Sequence, residues 1–196
     1  MELKIFFRLL LKRWWIIVLI LIVTVVGALV FTYTETPIYS SSSTYVVTPS
    51  SDLLNGTSYL SGLSVLGGQP TVTNTYASIA TSTSIKQTAS LAMSLSPAQV
   101  QSLIVSSRVQ TGTNVIEITV EGKDPLLVQA FTNKIGEGTI DYVSKLNGVF
   151  TLARLDDAVF PDLPIKPNKK LNLVLGVALG LALGGGIVFL MGLGEY

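Results

Sequence analysis

The chain has 196 residues, 48% hydrophobic and 13% charged, with a mean hydropathy of +0.57 and a net charge of +1. It contains no cysteine and no histidine, which removes disulfide frameworks, thiolate nucleophiles, cysteine-ligated metals, the commonest general base and the commonest zinc ligand. The near-neutral balance gives no electrostatic footprint for nucleic acid, and the apolar excess exceeds that of an ordinary soluble protein.

Residues 1–13 carry Lys4, Arg8, Lys12 and Arg13 against one acid, Glu2. Spacing by four places Lys4, Arg8 and Lys12 on one stripe of a helix, with Leu3, Ile5, Phe6, Phe7 and Leu9 to Leu11 around it. Two readings stand: a short interfacial helix whose cations meet anionic lipid headgroups, or charges that only set topology. Both keep the N-terminus in the cytoplasm. Residues 14–31 (WWIIVLILIVTVVGALVF) hold no charge and are long enough to cross roughly 30 Å of hydrocarbon. Trp14 and Trp15 suit the aromatic belt at the membrane surface. A cleavable signal has a shorter apolar core and ends in a small-x-small site; GALVFTY offers none, so this segment reads as an uncleaved anchor.

Residues 32–160 have the composition of a folded domain. Ser40–Thr48 reads as a strand. Pro49 to Pro70 is a Gly/Ser/Asn-rich loop or short helix. Val72 to Leu95 shows helical spacing in Val72, Tyr76, Ile79, Ile85, Ala89 and Ala92, although its many Ser and Thr residues are weak helix formers. Ser96-Pro-Ala-Gln99 is a capping box opening a short helix to about Ile104. Val105–Gln110 and Val115–Glu121 read as two strands joined by Thr111-Gly-Thr-Asn114. In the second, Ile116, Ile118 and Val120 alternate with Glu117, Thr119 and Glu121. Asp124-Pro125 caps a further helix with Val128, Phe131, Ile135, Tyr142 and Leu146 on one face, ended by Gly148. A last strand is expected from Thr151 to Phe160. The order implies an α+β domain, a sheet backed by helices, between two transmembrane helices. Pairing of its first and last strands would seat it as a short-footed cap on the bilayer.

Residues 161–170 form a proline-rich junction. Pro161, Pro164 and Pro167, three apart, favour an extended polyproline-like strut that spaces domain from membrane. Residues 171–194 form the second apolar run, and residues 195–196 the cytoplasmic tail. In that run Gly176, Gly180 and Gly184 make consecutive GxxxG steps flanked by Ala178 and Ala182, and Gly192 continues the stripe after Val188. Glycines at this spacing let helix backbones approach closely within lipid, where apolar attraction alone cannot drive association. The partner is either the first span or a neighbouring copy. With the N-terminus inside and two spans, the middle domain is extracytoplasmic. Lys166, Lys169 and Lys170 then lie on the outer side, against the usual bias.

Chemistry is hard to find. Asp156 and Asp157 are adjacent and would point to opposite faces of a strand. Glu117 and Glu121 are explained by alternation with a buried face. Gly62, Gly67 and Gly68 precede no lysine-serine pattern, so no phosphate loop exists, and no metal-ligand spacing occurs. No residue is assigned to catalysis, a cofactor or a metal. The expected roles are lipid-headgroup contact (Lys4, Arg8, Lys12, Arg13), junction (Pro161, Pro164, Pro167) and helix packing (Gly176, Gly180, Gly184).

Arg13-Trp14-Trp15, Thr75-Tyr76-Ala77, Ile116 to Gly122 with Asp124-Pro125, and Ala158-x-x-Pro161-x-x-Pro164-x-x-Pro167-Asn168-Lys-Lys-Leu171-Asn172 with the glycines after it resemble, in order and spacing, the polysaccharide chain-length determinants, or polysaccharide co-polymerases of the Wzz type. The resemblance spans nearly the whole chain. It implies a non-enzymatic homo-oligomeric ring in the bacterial plasma membrane that governs how long capsular, exopolysaccharide or O-antigen glycans grow beside a polymerase. The small exported domain is similar to the capsule and exopolysaccharide branch, which works with a cytoplasmic tyrosine kinase, separate or fused after the second span. The tail Gly194-Glu195-Tyr196 has no Walker motif or tyrosine cluster. The resemblance therefore leaves two options, a membrane-domain piece of a longer protein or a kinase docked elsewhere. A two-span receptor that binds a ligand with its outer domain is the alternative from another class, and a membrane enzyme the third.

Overall fold

Alternation along one short stretch organises the domain. In a computed structural model that describes residues 13–49, 71–146 and 150–193, β3 (Val115–Gly122) buries Ile116, Ile118 and Val120 almost completely while the side chains between them stay partly open. Such period-2 burial makes a strand with one wet face. β3 pairs antiparallel with β2 (Ile104–Val109), Val105 opposite Val120, and with β1 (Tyr39–Pro49), Ser43 opposite Ile118. β1 pairs on its other side with β4 (Phe150–Asp156), Tyr45 opposite Arg154, with an irregularity between Thr44 and Tyr45. The sheet order is β2-β3-β1-β4, antiparallel throughout. The strand that follows the first apolar helix is therefore the neighbour of the last strand before the second.

The β2–β3 turn places Gly112 at φ +75, a conformation that penalises any side chain. Gln110 N donates to Val115 O at 2.9 Å across it.

Helices back one face of this sheet. They are α2 (Thr71–Ala80), α3 (Thr83–Ala92) and the long α5 (Pro125–Ser144), while the single turn α4 (Pro97–Gln101) buries no residue. Val128, Phe131 and Ile135 of α5 pack with Tyr76 and Ala80 of α2, Ile85 and Ala89 of α3, and the inner residues of β1 and β3. At about 25 cal/mol per Å2 of buried apolar surface, the valine, isoleucine and phenylalanine side chains among them each contribute roughly 1.5–3 kcal/mol. Two caps act as the sequence implies. Ser96 and Gln99 exchange both capping-box bonds at α4, and the Asp124 carboxylate accepts from Leu126 N and Leu127 N at the start of α5.

Four expectations need correction. Val72–Leu95 is not one helix but two, because Ser82 turns extended (ψ 151) and its hydroxyl caps the next helix by accepting from Ile85 N; serine competes with the backbone in this way. The helix begun at Ser96 stops at Gln101, and Ile104 already belongs to β2. On α5 the buried face continues through Thr139 to Val143, leaving Tyr142 and Leu146 exposed; Gly148 lies outside the described residues. β4 ends at Asp156, since the backbone beyond it bonds to side chains instead. Ala158 N donates to Asn133 Oδ1, Ala158 O accepts from Gln129 Nε2, and Val159 O accepts from the Ser41 hydroxyl. The loop expected at Pro49–Pro70 falls almost wholly outside the described residues.

Residues 38–165 form one compact unit, and the terminal segments that carry the two apolar helices form the other. The latter are α1 (Trp14–Thr34) and α6 (Lys169–Leu193). Both are long and apolar enough to cross a membrane.

Candidate functional site: the helical hairpin and the junction

Every fourth residue of α6 from Gly176 is buried: Gly176, Gly180, Gly184, Val188 and Gly192. The surface they share faces α1, which runs antiparallel. A Cβ placed on Gly176 would come 2.8 Å from the Ala28 Cβ, one on Gly180 would come 2.9 Å from the Leu21 Cα and meet the Thr24 hydroxyl, and one on Gly184 would come 3.0 Å from the Ile17 Cα. Backbone meets backbone, so even alanine forces the helices apart. The close approach brings many dispersion contacts together, which is what holds helices in lipid. Of the two partners left open by the spacing, the first span of the same chain occupies this stripe. Leu179, Leu181, Leu183 and Leu190, by contrast, point away from α1 and are exposed.

One polar bond closes the hairpin. Asn172 Nδ2 donates to Thr32 Oγ1 at 3.0 Å, and that hydroxyl donates to Ala28 O at 2.7 Å. Thr32 is 4% exposed. Sequence reasoning missed this pair; the signal was a polar residue at the edge of each apolar run, Thr32 after the first and Asn172 at the start of the second. Thr24 turns its hydroxyl to its own Leu21 O.

The junction is tied at both ends. Ile165 N donates to Ile38 O at 2.8 Å, beyond the bonds that hold Ala158 and Val159. Between them the chain bends at Leu163, and it bends again at Pro167, so Pro161, Pro164 and Pro167 do not lie on one straight strut; the Lys166–Pro167 peptide bond is cis. Asn168 then caps α6, its Oδ1 accepting from Leu171 N and its carbonyl from Asn172 N. The Pro-Asn order could have announced this start, since asparagine is a preferred N-cap.

At the first turn of α6, Lys169 Nζ sits 5.4 Å from the ring centroid of Tyr33, within cation–π range. Lys169, Lys170 and Leu173 join Leu29, Thr32 and Tyr33 in lining a cleft of ≈ 180 Å³. Lys4, Arg8 and Lys12 lie outside the described residues, and Arg13 directly precedes α1, with Trp14 and Trp15 exposed behind it.

The acidic residues weighed for chemistry have structural partners. Arg108 bonds Glu117 at 2.7 Å, Arg154 bonds Asp157 at 2.6 Å, and Thr44 donates to Asp156. Glu137 takes Lys134 at 3.0 Å and Arg154 at 3.5 Å. Those donors, the Lys134 bond foremost, hold its carboxyl below the usual range. Among the described residues no cluster of acidic side chains could hold a metal ion. Tyr45 is fully buried, its hydroxyl unpaired, and burial raises its pKa above the ordinary value near 10. Gly136 of α5 makes room for that ring, since a Cβ there would fall on the Tyr45 hydroxyl.

Comparison with known proteins places this architecture. Residues 1–92 match the Wzz family, described as chain length determinant protein. Two curated proteins of Streptococcus agalactiae, one of them from serotype Ia, are each named capsular polysaccharide biosynthesis protein CpsC. Each is 26% identical over 194 residues, covering 95% of this chain and 82% of the relative. Among solved structures, a full-length bacterial polysaccharide co-polymerase is similar in fold, with a TM-score of 0.54 at 10% identity over 93% of this chain and 95% of the other.

Proposed function

We propose that the chain belongs with the Wzz-type chain length determinants, whose family its residues 1–92 match and whose co-polymerase fold it shares, and that it is a two-pass membrane protein that determines chain length in capsular polysaccharide biosynthesis. The observation that carries this reading is the likeness to the capsular biosynthesis proteins across both apolar helices and the domain between them. We infer further that it acts without catalysis, as a homo-oligomeric ring around the growing glycan, beside a polymerase and with a cytoplasmic tyrosine kinase, separate or fused. The basic residues Lys4, Arg8, Lys12 and Arg13 support an N-terminus in the cytoplasm of a bacterial plasma membrane. With two spans, the domain is then extracytoplasmic and the C-terminus returns inside.

The fold suggests how such a regulator conveys a signal. β1 continues from α1 and β4 leads through the junction to α6, and these two strands are paired neighbours. A load on either strand is shared by the other through the ladder; four residues link α1 to β1, and twelve, the junction among them, link β4 to α6. Because the Gly176, Gly180 and Gly184 stripe is filled by α1, copies in a ring meet through other surfaces; Gly185 and Gly186 have open space beside them.

The test is polymer length. Cells lacking the protein should make capsule of altered length on a gel, restored by the wild-type chain and not by one carrying Gly180→Leu and Gly184→Leu. Unchanged polymer in the deletion would refute the role. A detergent-solubilised particle of monomer mass would refute the ring. Topology has its own check: the chain has no cysteine, so Gln101→Cys should be labelled from outside intact cells by an impermeant maleimide.

A further inference from the structure

We propose that the cleft at the Lys169 end of the hairpin is a binding site for the phosphate of an acidic membrane lipid. Lys169 and Lys170 occupy the first turn of α6, where the helix dipole opposes positive charge. Neither has a carboxylate within ion-pair distance among the described residues; Lys169 has only the Tyr33 ring. Two ammonium groups are thus held where their own helix disfavours them.

The cleft between them has the chemistry for a lipid. Leu29 and Leu173 supply apolar walls, Tyr33 an aromatic edge and the two lysines a cationic rim, around a volume of ≈ 180 Å³. It opens where both apolar helices end, at the depth of headgroups if these helices cross a bilayer. A soluble anion would use the rim and leave the walls wet. A phospholipid uses both, its phosphate between the ammonium groups and the start of its chains along Leu29 and Leu173. Asn172 and Thr32 bond each other, so the positive charge at the rim comes from Lys169 and Lys170.

The experiment uses the full chain in nanodiscs that contain a phosphatidylglycerol with a photoreactive headgroup. Crosslinks mapped by mass spectrometry should fall at residues 29–33 and 169–173. They should be roughly thirtyfold stronger than with a photoreactive phosphatidylcholine, each lysine at an acidic surface contributing a factor of about five. Lys169→Gln with Lys170→Gln should abolish the preference, and Lys→Arg at both positions should keep it. Crosslinking that is equal for the two lipids, or unchanged in the glutamine variant, overturns the proposal. So does loss of the crosslink in excess inorganic phosphate, which would assign the cations to a soluble anion. Should the glutamine variant fail to insert, the comparison of lipids on the wild-type chain decides alone. Polymer length is not read here, so failure of this site and failure of the proposed role remain separate outcomes.

Discussion

The domain and the hairpin solve packing in opposite ways. In the domain large side chains go inside: Tyr45, Phe131, Ile116, Ile118 and Ile135 are at most 1% exposed. In the hairpin the leucines of α6 such as Leu179, Leu181, Leu183 and Leu190 face outward, and the buried stripe of that helix is four glycines and Val188. Water explains the first, because removing apolar surface from it drives folding. Lipid explains the second, because tails are as apolar as leucine and only close backbone contact and polar bonds distinguish the inside. The same residue type therefore carries different weight in each region. Gly136 leaves room for a tyrosine ring, whereas Gly180 leaves room for another backbone.

That contrast can be broken in graded steps. The largest effect is expected from Gly180→Leu with Gly184→Leu, which places two branched side chains where the Leu21 and Ile17 backbones stand. The helices should separate by several ångströms. Spin labels on Leu29→Cys and Leu173→Cys, in a chain with no other cysteine, would read this directly, and an unchanged distance would show that the stripe does not hold the pair. Gly186→Leu, with open space beside it, should leave the same distance intact.

Next comes Gly136→Ala. The added methyl falls on a buried ring that cannot swing to solvent, so destabilisation at or above the usual overpacking cost of about 1–3 kcal/mol is expected in a denaturant melt. Pairing it with Tyr45→Phe should recover only part of the loss, since it removes the hydroxyl, the nearest atom struck, and leaves the ring carbon beneath it. That variant also tests pH dependence. Tyr45 keeps its proton in the folded state beyond the pH at which it would ionise when unfolded, so its contribution is complete below about pH 10 and is lost as the pH rises through the raised value. Alkaline unfolding should shift to higher pH in Tyr45→Phe.

Smaller again is Asn172→Leu, which removes the interhelical bond to Thr32; such bonds average about 0.6 kcal/mol in membranes. The smallest change is expected from Arg108→Ala. Its pair with Glu117 is largely open on the arginine side, so no more than about 1 kcal/mol should be lost. A large loss there would mean that the wet face of the sheet is covered by something in the assembled protein.

What could be read from residues alone was local. Alternation at Ile116, Ile118 and Val120, the Ser96–Gln99 box, Asp124 before Pro125, two uncharged runs and glycine at every fourth position each depend on neighbours a turn or a strand pitch away. The chain encodes those directly. The tertiary structure decided what lies opposite: α1 against the glycine stripe, Gly136 over Tyr45, Asn133 and Gln129 around Ala158, and Lys169 above Tyr33. It also decided where elements stop, dividing Val72–Leu95 at Ser82 and ending β4 at Asp156. These outcomes rest on contacts between residues tens of positions apart, where many side chains satisfy the same local pattern and only the packed whole selects among them.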